Sequence, residues 1–232
     1  MPVTYVIKDM PPQIDSAAIR RLAQVDTATI GHVRTYGFMQ PSILPLFPDS
    51  RCAGTAVTLA LPGPDATLLH HAMSLLRPGD VLVIDRCGDT RFACWGGVIN
   101  QAAKAIQLAA VVIDGSITDP VELREHGLPI WHKGVSAVTT QAVTLGGLMN
   151  VPVACGGVAV LPGDAILADG SGVLVLRPEE VAEVAQFGIA RQEREPDLVR
   201  RILAGEPVAD VSGASSRLAA ANDATKRPGG NS

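Results

Sequence analysis

The sequence predicts an α/β domain organised around a central βαβ unit, and three observations carry that expectation. Val81-Leu82-Val83-Ile84 and Ala110-Val111-Val112-Ile113 are unbroken apolar runs, each closed by an aspartate. Such runs are typical of parallel strands covered on both faces. Between them, behind Gly96-Gly97, the residues Val98, Ile99, Ala102, Ala103 and Ile106 recur at helical spacing. Strand, glycine loop, helix and strand make a crossover, and crossovers of this kind are right-handed. Beyond Gly127 the apolar runs shorten, so the C-terminal half is expected to add short strands to this unit.

The other elements follow in chain order. Asp15-Ser16 opens a helix with Ile19, Leu22 and Ala23 on one face. Residues 37–54 are rich in Pro, Gly and Ser and read as loop, and Ala56 to Leu61 as a short strand. Asp65 is placed to cap a helix through Leu68, Leu69, Met73 and Leu76 that stops at Pro78-Gly79-Asp80. A short helix is expected from Asp119 to His126, with Gly127 just past its end. Strands are expected at 129–132, 151–155, 158–161, 165–169 and 173–176. Pro178-Glu179-Glu180 starts a further helix, with the proline in the first turn. From Ser212 the chain turns to Ala, Ser, Gly, Asn and charge, so residues 1–211 are expected to form one domain and 212–232 a disordered tail.

Composition narrows the function. The 232 residues are 47% hydrophobic and 18% charged, with a net charge of -4. That is enough apolar material for a core. It also lacks the basic excess of a nucleic-acid binder, and aromatic residues at 3% leave little for base stacking. No apolar run approaches a membrane span, and residues 1–12 carry Lys8 and Asp9 with no long apolar stretch. A cytoplasmic protein without a nucleic-acid or membrane partner is expected. Cys52, Cys87, Cys94 and Cys155 form no CxxC pair and are expected to be buried small hydrophobes.

Two segments attract chemistry. Residues 85–97 run from the carboxyl end of a predicted buried strand into a helix through Gly96-Gly97, where backbone N–H groups attract anions. They contain neither GxGxxG nor GK[ST], so a dinucleotide or P-loop site is excluded. Residues 113–122 end the second strand. Asp119 there suits a hard divalent cation. The local sequence favours a helix cap instead, since Asp119, Pro120 and Glu122 spell a capping box. The two roles are compatible, because a carboxylate has two oxygens.

The pattern from Pro78 to Leu123, PGDVLVID, GD, GG, AVVIDG and the following aspartate, resembles the RraA-like family. That family includes the class II 4-hydroxy-4-methyl-2-oxoglutarate / 4-carboxy-4-hydroxy-2-oxoadipate aldolases. The similarity continues in order through Leu128-Pro129-Ile130, Gly156-Gly157-Val158, Pro162-Gly163-Asp164 and Ala168-Asp169-Gly170. It implies a swivelling ββα-type single domain, assembled as a homotrimer or a homohexamer with active sites between subunits. It also implies a Mg²⁺- or Mn²⁺-dependent lyase acting on a small 2-oxo acid, by retro-aldol cleavage or decarboxylation through a metal-stabilised pyruvate enolate. By the resemblance Asp119 is the metal ligand, and the loop Gly96, Gly97, Val98 and Ile99 cradles the substrate carboxylate.

Two positions depart from the aldolase pattern. Thr118 stands where the aldolases carry an arginine, and Gly97 where they carry an acidic residue. A missing cation beside a developing oxyanion typically costs ~3 kcal/mol of transition-state stabilisation. Thr118 supplies only a neutral hydrogen bond, so Arg91 and Arg86, which flank the loop, are the candidate replacement cations. His132, at a strand end, is a candidate proton shuttle. Two other readings follow from the departures: a metal-dependent hydrolase or other lyase on a different carboxylate, and a non-enzymatic regulatory binding protein.

Overall fold

The computed structural model describes residues 4–225. The strands are β1 (Tyr5–Ile7), β2 (Leu44–Pro45), β3 (Cys52–Ala60), β4 (Asp80–Asp85), β5 (Ala110–Ile117), β6 (Ile130–Val135), β7 (Gly147–Met149), β8 (Val153–Cys155), β9 (Val158–Val160), β10 (Ala165–Asp169) and β11 (Gly172–Leu176). The helices are α1 (Ser16–Leu22), α2 (Thr27–Gly31), α3 (Thr67–Ala72), α4 (Gly97–Ile106), α5 (Pro120–His126), α6 (Val181–Gln192), α7 (Glu195–Leu203), α8 (Val208–Val211) and α9 (Ala214–Thr225). A nine-stranded sheet runs β1-β7-β3-β4-β5-β6-β2, with β10 on β3 and β11 on β10. Its centre, β3-β4-β5-β6, is parallel, as the apolar runs predict.

Alternation along the parallel strands builds two cores. Leu82, Ile84, Val111 and Ile113 face α3, α4 and α5 through Leu69, Ala103 and Leu123. Val81, Val83, Ala110 and Val112 face the β8–β9 hairpin and β10–β11 through Cys155, Val160, Ile166 and Val173. The sheet is therefore covered on both faces, which is why β4 and β5 read as continuous apolar sequence rather than as an alternation.

Several boundaries move. β3 begins at Cys52, four residues before the expected Ala56, because Cys52 to Thr55 pair with β10. β5 continues past Ile113 to Ile117, through a register shift against β6 between Ile113 and Ser116. Asp114-Gly115 therefore marks an irregularity within the strand and not its end. Two three-residue strands are unexpected from the sequence: β1, whose Tyr-Val-Ile suits a strand but is very short, lies at the sheet edge on β7, and β7, whose Gly-Leu-Met has no strand preference, is fixed by pairing with β1 and β3. Cys87 is exposed rather than buried, in a left-handed turn conformation (φ 53°), while the other three thiols are buried.

The chain divides into two compact units, residues 1–188 and 189–232, where the sequence suggests one domain ending at 211. In the second unit, Ala214–Thr225 is helix α9 in the segment expected to be tail. The alanines around Leu218 explain it, since a composition that reads as low complexity is also the strongest helix-forming one. Residues 226–232 lie outside the described part of that expected tail.

Candidate metal and carboxylate site

The two predicted segments meet. The loop after β4 runs back along the segment after β6 and the end of β5: the Ala93 N–H donates to Val138 O at 2.8 Å, Cys94 N–H to Ser116 O at 3.2 Å, and Thr118 N–H to Trp95 O at 2.8 Å. This ladder brings Gly96-Gly97, the start of α4, against Thr118-Asp119, the start of α5. Trp95 is fully buried and anchors the loop, so it is a core residue and not a pocket wall.

Asp119 does not cap its own helix. It sits in the left-handed region (φ 54°, ψ 43°) and makes no side-chain capping bond to α5. That conformation costs a non-glycine residue about 1 kcal/mol or more, and it persists only when the surroundings impose it. Its carboxylate turns instead to the facing loop, where Oδ2 accepts from the Gly97 N–H at 3.2 Å and Oδ1 from the Thr118 hydroxyl at 3.2 Å. The capping box that the sequence spells is therefore not formed, and the carboxylate is aimed at the candidate site.

Both glycines of the loop lie directly against carboxylates. A Cβ on Gly96 would lie 2.8 Å from Asp119 Oδ2 and 2.8 Å from Thr118 Cγ2. A Cβ on Gly97 would overlap the carboxylate of Glu122. Glu122 thus occupies the volume into which a side chain at position 97 would project, and it reaches the same peptide as Asp119. The acid expected at position 97 from the resemblance is absent, and the carboxylate beside that position is that of Glu122, from α5. Sequence reasoning took Glu122 for a capping residue. The available signal was spacing, because positions 119, 122 and 126 share one face of a helix.

The predicted cradle is narrower than expected. The first-turn N–H groups of a helix have no intrahelical acceptor. In α4 the Gly97 N–H is taken by Asp119, so Val98 and Ile99 are the amides that face outward. Val98 is 88% exposed. A helix start offering two amides beside two carboxylates suits a ligand carrying both an anionic group and a bound cation.

The flanking arginines divide. Arg86 is fully buried and donates to the carbonyls of Leu61, at 2.9 Å, and of Gly63, with Asp89 at 3.8 Å. Its stem fills the volume left open by Gly115, where a Cβ would overlap Arg86 Cγ. The guanidinium locks the 61–63 turn from within the core and has no exposure to solvent. Arg91 is exposed and lies 5.4 Å over the Phe92 ring, so it retains the freedom to turn toward an anion. His132 points its Nδ1 at Gly134 O, 3.0 Å away, and burial lowers its pKa. Cys94, inside the loop, is buried and its thiol is pushed up to about 11, which removes it as a nucleophile at neutral pH.

Among the described residues no group of three or more His, Cys, Asp or Glu gathers as a metal centre. Two carboxylates are nonetheless a fitting donor set for Mg²⁺ or Mn²⁺, which keep several waters and take oxygens from a substrate. Among the same residues no helix is long and apolar enough to cross a membrane.

Comparison with known proteins matches this architecture. Relatives include a Halalkalibacterium halodurans protein provisionally named a 4-hydroxy-4-methyl-2-oxoglutarate aldolase, 34% identical over 65% of this chain and 71% of its own length. The 4-hydroxy-4-methyl-2-oxoglutarate aldolase of Thermus thermophilus is 35% identical over 60% of this chain and 83% of its own. Among solved structures, RraAS2 of Streptomyces coelicolor, described as an unusual member of the RNase ES inhibitor RraA family, superimposes with a TM-score of 0.73. It is 29% identical, over 81% of this chain and 98% of its own. Residues 22–175 match the family described as Aldolase/RraA, and the chain belongs to the RraA-like family.

Proposed function

We propose that the chain is a divalent-metal-dependent lyase that cleaves a small 2-oxo di- or tricarboxylate, by retro-aldol cleavage or by decarboxylation of the oxaloacetate type. The observation that carries this reading is the carboxylate of Asp119, held in a costly backbone conformation and turned from its own helix toward the Gly96-Gly97 loop, with Glu122 beside it. The aldolase names of the relatives support the same reading.

Asp119 and Glu122 would hold Mg²⁺ or Mn²⁺, and the bound ion would supply Lewis acidity to the 2-oxo group of the substrate. The Val98 and Ile99 amides receive the substrate carboxylate, favoured by the positive end of the α4 dipole. The Gly97 N–H orients Asp119. Thr118 contributes a hydroxyl donor, and Arg91 the positive charge that the family arginine would otherwise bring. Val98, Val121, Val135 and Val138 are exposed apolar side chains on the segments that build the site. Their exposure suits a face that neighbouring subunits would cover, and the reading takes a homotrimer or homohexamer in the cytoplasm as the working form.

The test is pyruvate release from oxaloacetate and from 4-hydroxy-4-methyl-2-oxoglutarate, coupled to lactate dehydrogenase, with Mg²⁺, Mn²⁺ or EDTA. Metal-dependent turnover that disappears in Asp119→Asn supports the lyase. Asparagine tolerates the left-handed conformation, so loss of turnover there reports the charge and not the fold. Absence of turnover with metal binding intact would assign the site to a different reaction, with Thr118 as the residue that marks it.

A further inference from the structure

We propose that His126 is a positioning residue for Glu122, fixed in the tautomer that presents a proton to it. The proposal rests on the reading of Asp119 and Glu122 as the cation site.

The chain of contacts begins in the core. Trp95 and Asn100 are fully buried, and the indole Nε1–H donates to Asn100 Oδ1 at 3.0 Å. An indole nitrogen can only donate, so the oxygen of the Asn100 amide must face Trp95 and its Nδ2 must face the other way. Nδ2 lies 3.3 Å from Nδ1 of His126. An amide nitrogen also only donates, so Nδ1 of His126 must accept. In the neutral ring the proton then resides on Nε2. Nε2 lies 3.6 Å from Glu122 Oε1, one helical turn away on α5, and a small rotation of either side chain closes the hydrogen bond.

This gives Glu122 what it lacks alone. Its side chain is 52% exposed, whereas that of His126 is only 14% exposed. A half-exposed glutamate samples several rotamers, and its carboxylate serves as a ligand only in those that lean over Gly97. A ring locked to the core through Asn100 and Trp95 favours that direction. It occupies one carboxylate oxygen and leaves the other for the ion. A metal-binding side chain oriented by a fixed hydrogen-bonding partner commonly loses 10–100-fold in metal affinity when the partner is removed.

The experiment uses the purified full chain and Mn²⁺ as the probe, with free Mn²⁺ read by electron paramagnetic resonance. His126→Leu keeps side-chain bulk and removes the donor, and His126→Gln returns an N–H near the position of Nε2. Thermal unfolding checks that both variants are folded. The expected result is Mn²⁺ affinity weakened about 10-fold or more in His126→Leu and largely recovered in His126→Gln. The tautomer is read separately on metal-free protein by ¹⁵N NMR, with Nε2 protonated and Nδ1 not.

Wild-type affinity in His126→Leu, or a proton on Nδ1, overturns the proposal. Failure of the underlying site looks different: wild type and Glu122→Ala then bind Mn²⁺ equally or not at all, whatever the tautomer. That result overturns the cation-site reading and the proposal with it.

Discussion

Replacing Gly97 by alanine should move stability and metal affinity in opposite directions. Gly97 opens α4 with no positive φ to protect. Alanine there reduces the entropy of the unfolded chain, a gain of about 0.5 kcal/mol. The nearest atoms a new Cβ would meet all belong to the Glu122 carboxylate. That carboxylate is the far end of a half-exposed, flexible side chain, so it swings outward at little cost and the fold keeps its gain. On the proposed function the cation site loses a ligand. Two unit charges 4 Å apart in water interact by about 1 kcal/mol, and a divalent ion doubles this to about 2 kcal/mol, or roughly 30-fold in affinity. Isothermal titration with Mn²⁺ and a thermal melt of the same sample give both numbers. An unchanged Mn²⁺ affinity would show that Glu122 is not a ligand. A large drop in melting temperature would show that Glu122 is wedged in place rather than poised.

Other perturbations separate structural from functional groups. Arg86→Met strands the buried carbonyls of Leu61 and Gly63 and should cost about 3 kcal/mol in denaturant unfolding. Arg91→Ala, at the surface, should change stability by less than about 0.5 kcal/mol and lower turnover roughly 100-fold; the reverse pattern would restore Arg86 as the cation. For Asp65, burial alone would raise the pKa, but donors from Thr67, Tyr5 and Leu145 outweigh it and hold the carboxyl well below its usual range. A depressed folded pKa stabilises the fold above the unfolded value of about 4, and this is lost as pH falls below it. Asp65→Asn should therefore cost about 2 kcal/mol at neutral pH, and the gap to wild type should narrow in acid. Thiol labelling in the native state should find only Cys87, and slowly, because burial and Asp85 raise its pKa. Burial pushes Cys52 up to about 12 and raises Cys155 as well, so both should react only on unfolding.

The parallel centre of the sheet was legible because burial on both faces leaves a local trace: Val81 to Ile84 and Ala110 to Ile113 must be apolar throughout. β1 and β7 were not, because three residues are too few to read: Tyr5–Ile7 suits a strand only in composition, and Gly147–Met149 becomes one only through pairing with β1 and β3. The same distinction runs through the site. Gly96-Gly97 and Asp119 were visible as positions at the ends of strands. The fate of the Asp119 carboxylate was not, since a capping box and a ligand are written with the same residues and only the left-handed backbone at 119 shows that the cap is not formed. The setting of Arg86 was hidden for a related reason. An arginine after a strand end has the same letter whether its guanidinium faces a ligand or two carbonyls, and the glycine that admits its stem, Gly115, lies on another strand.

The departures at 97 and 118 are therefore unequal. The lost acid at 97 is answered within the same volume, because glycine there is what lets Glu122 lean in, and an added Cβ would close the space. A negative charge in that position survives the substitution by arriving from α5. The lost arginine at 118 has no such answer. Thr118 spends its hydroxyl on Asp119 at 3.2 Å, and the nearest arginine in sequence on the facing loop that is not already bound to carbonyls is Arg91, out at the surface. On the proposed function, charge that would bind a cation is supplied from within the fold, whereas charge that would steady a developing anion has to be brought in from an exposed side chain. The two properties should consequently separate by experiment: metal affinity at the family's level, with turnover that depends on Arg91 far more steeply than on any group fixed in the fold.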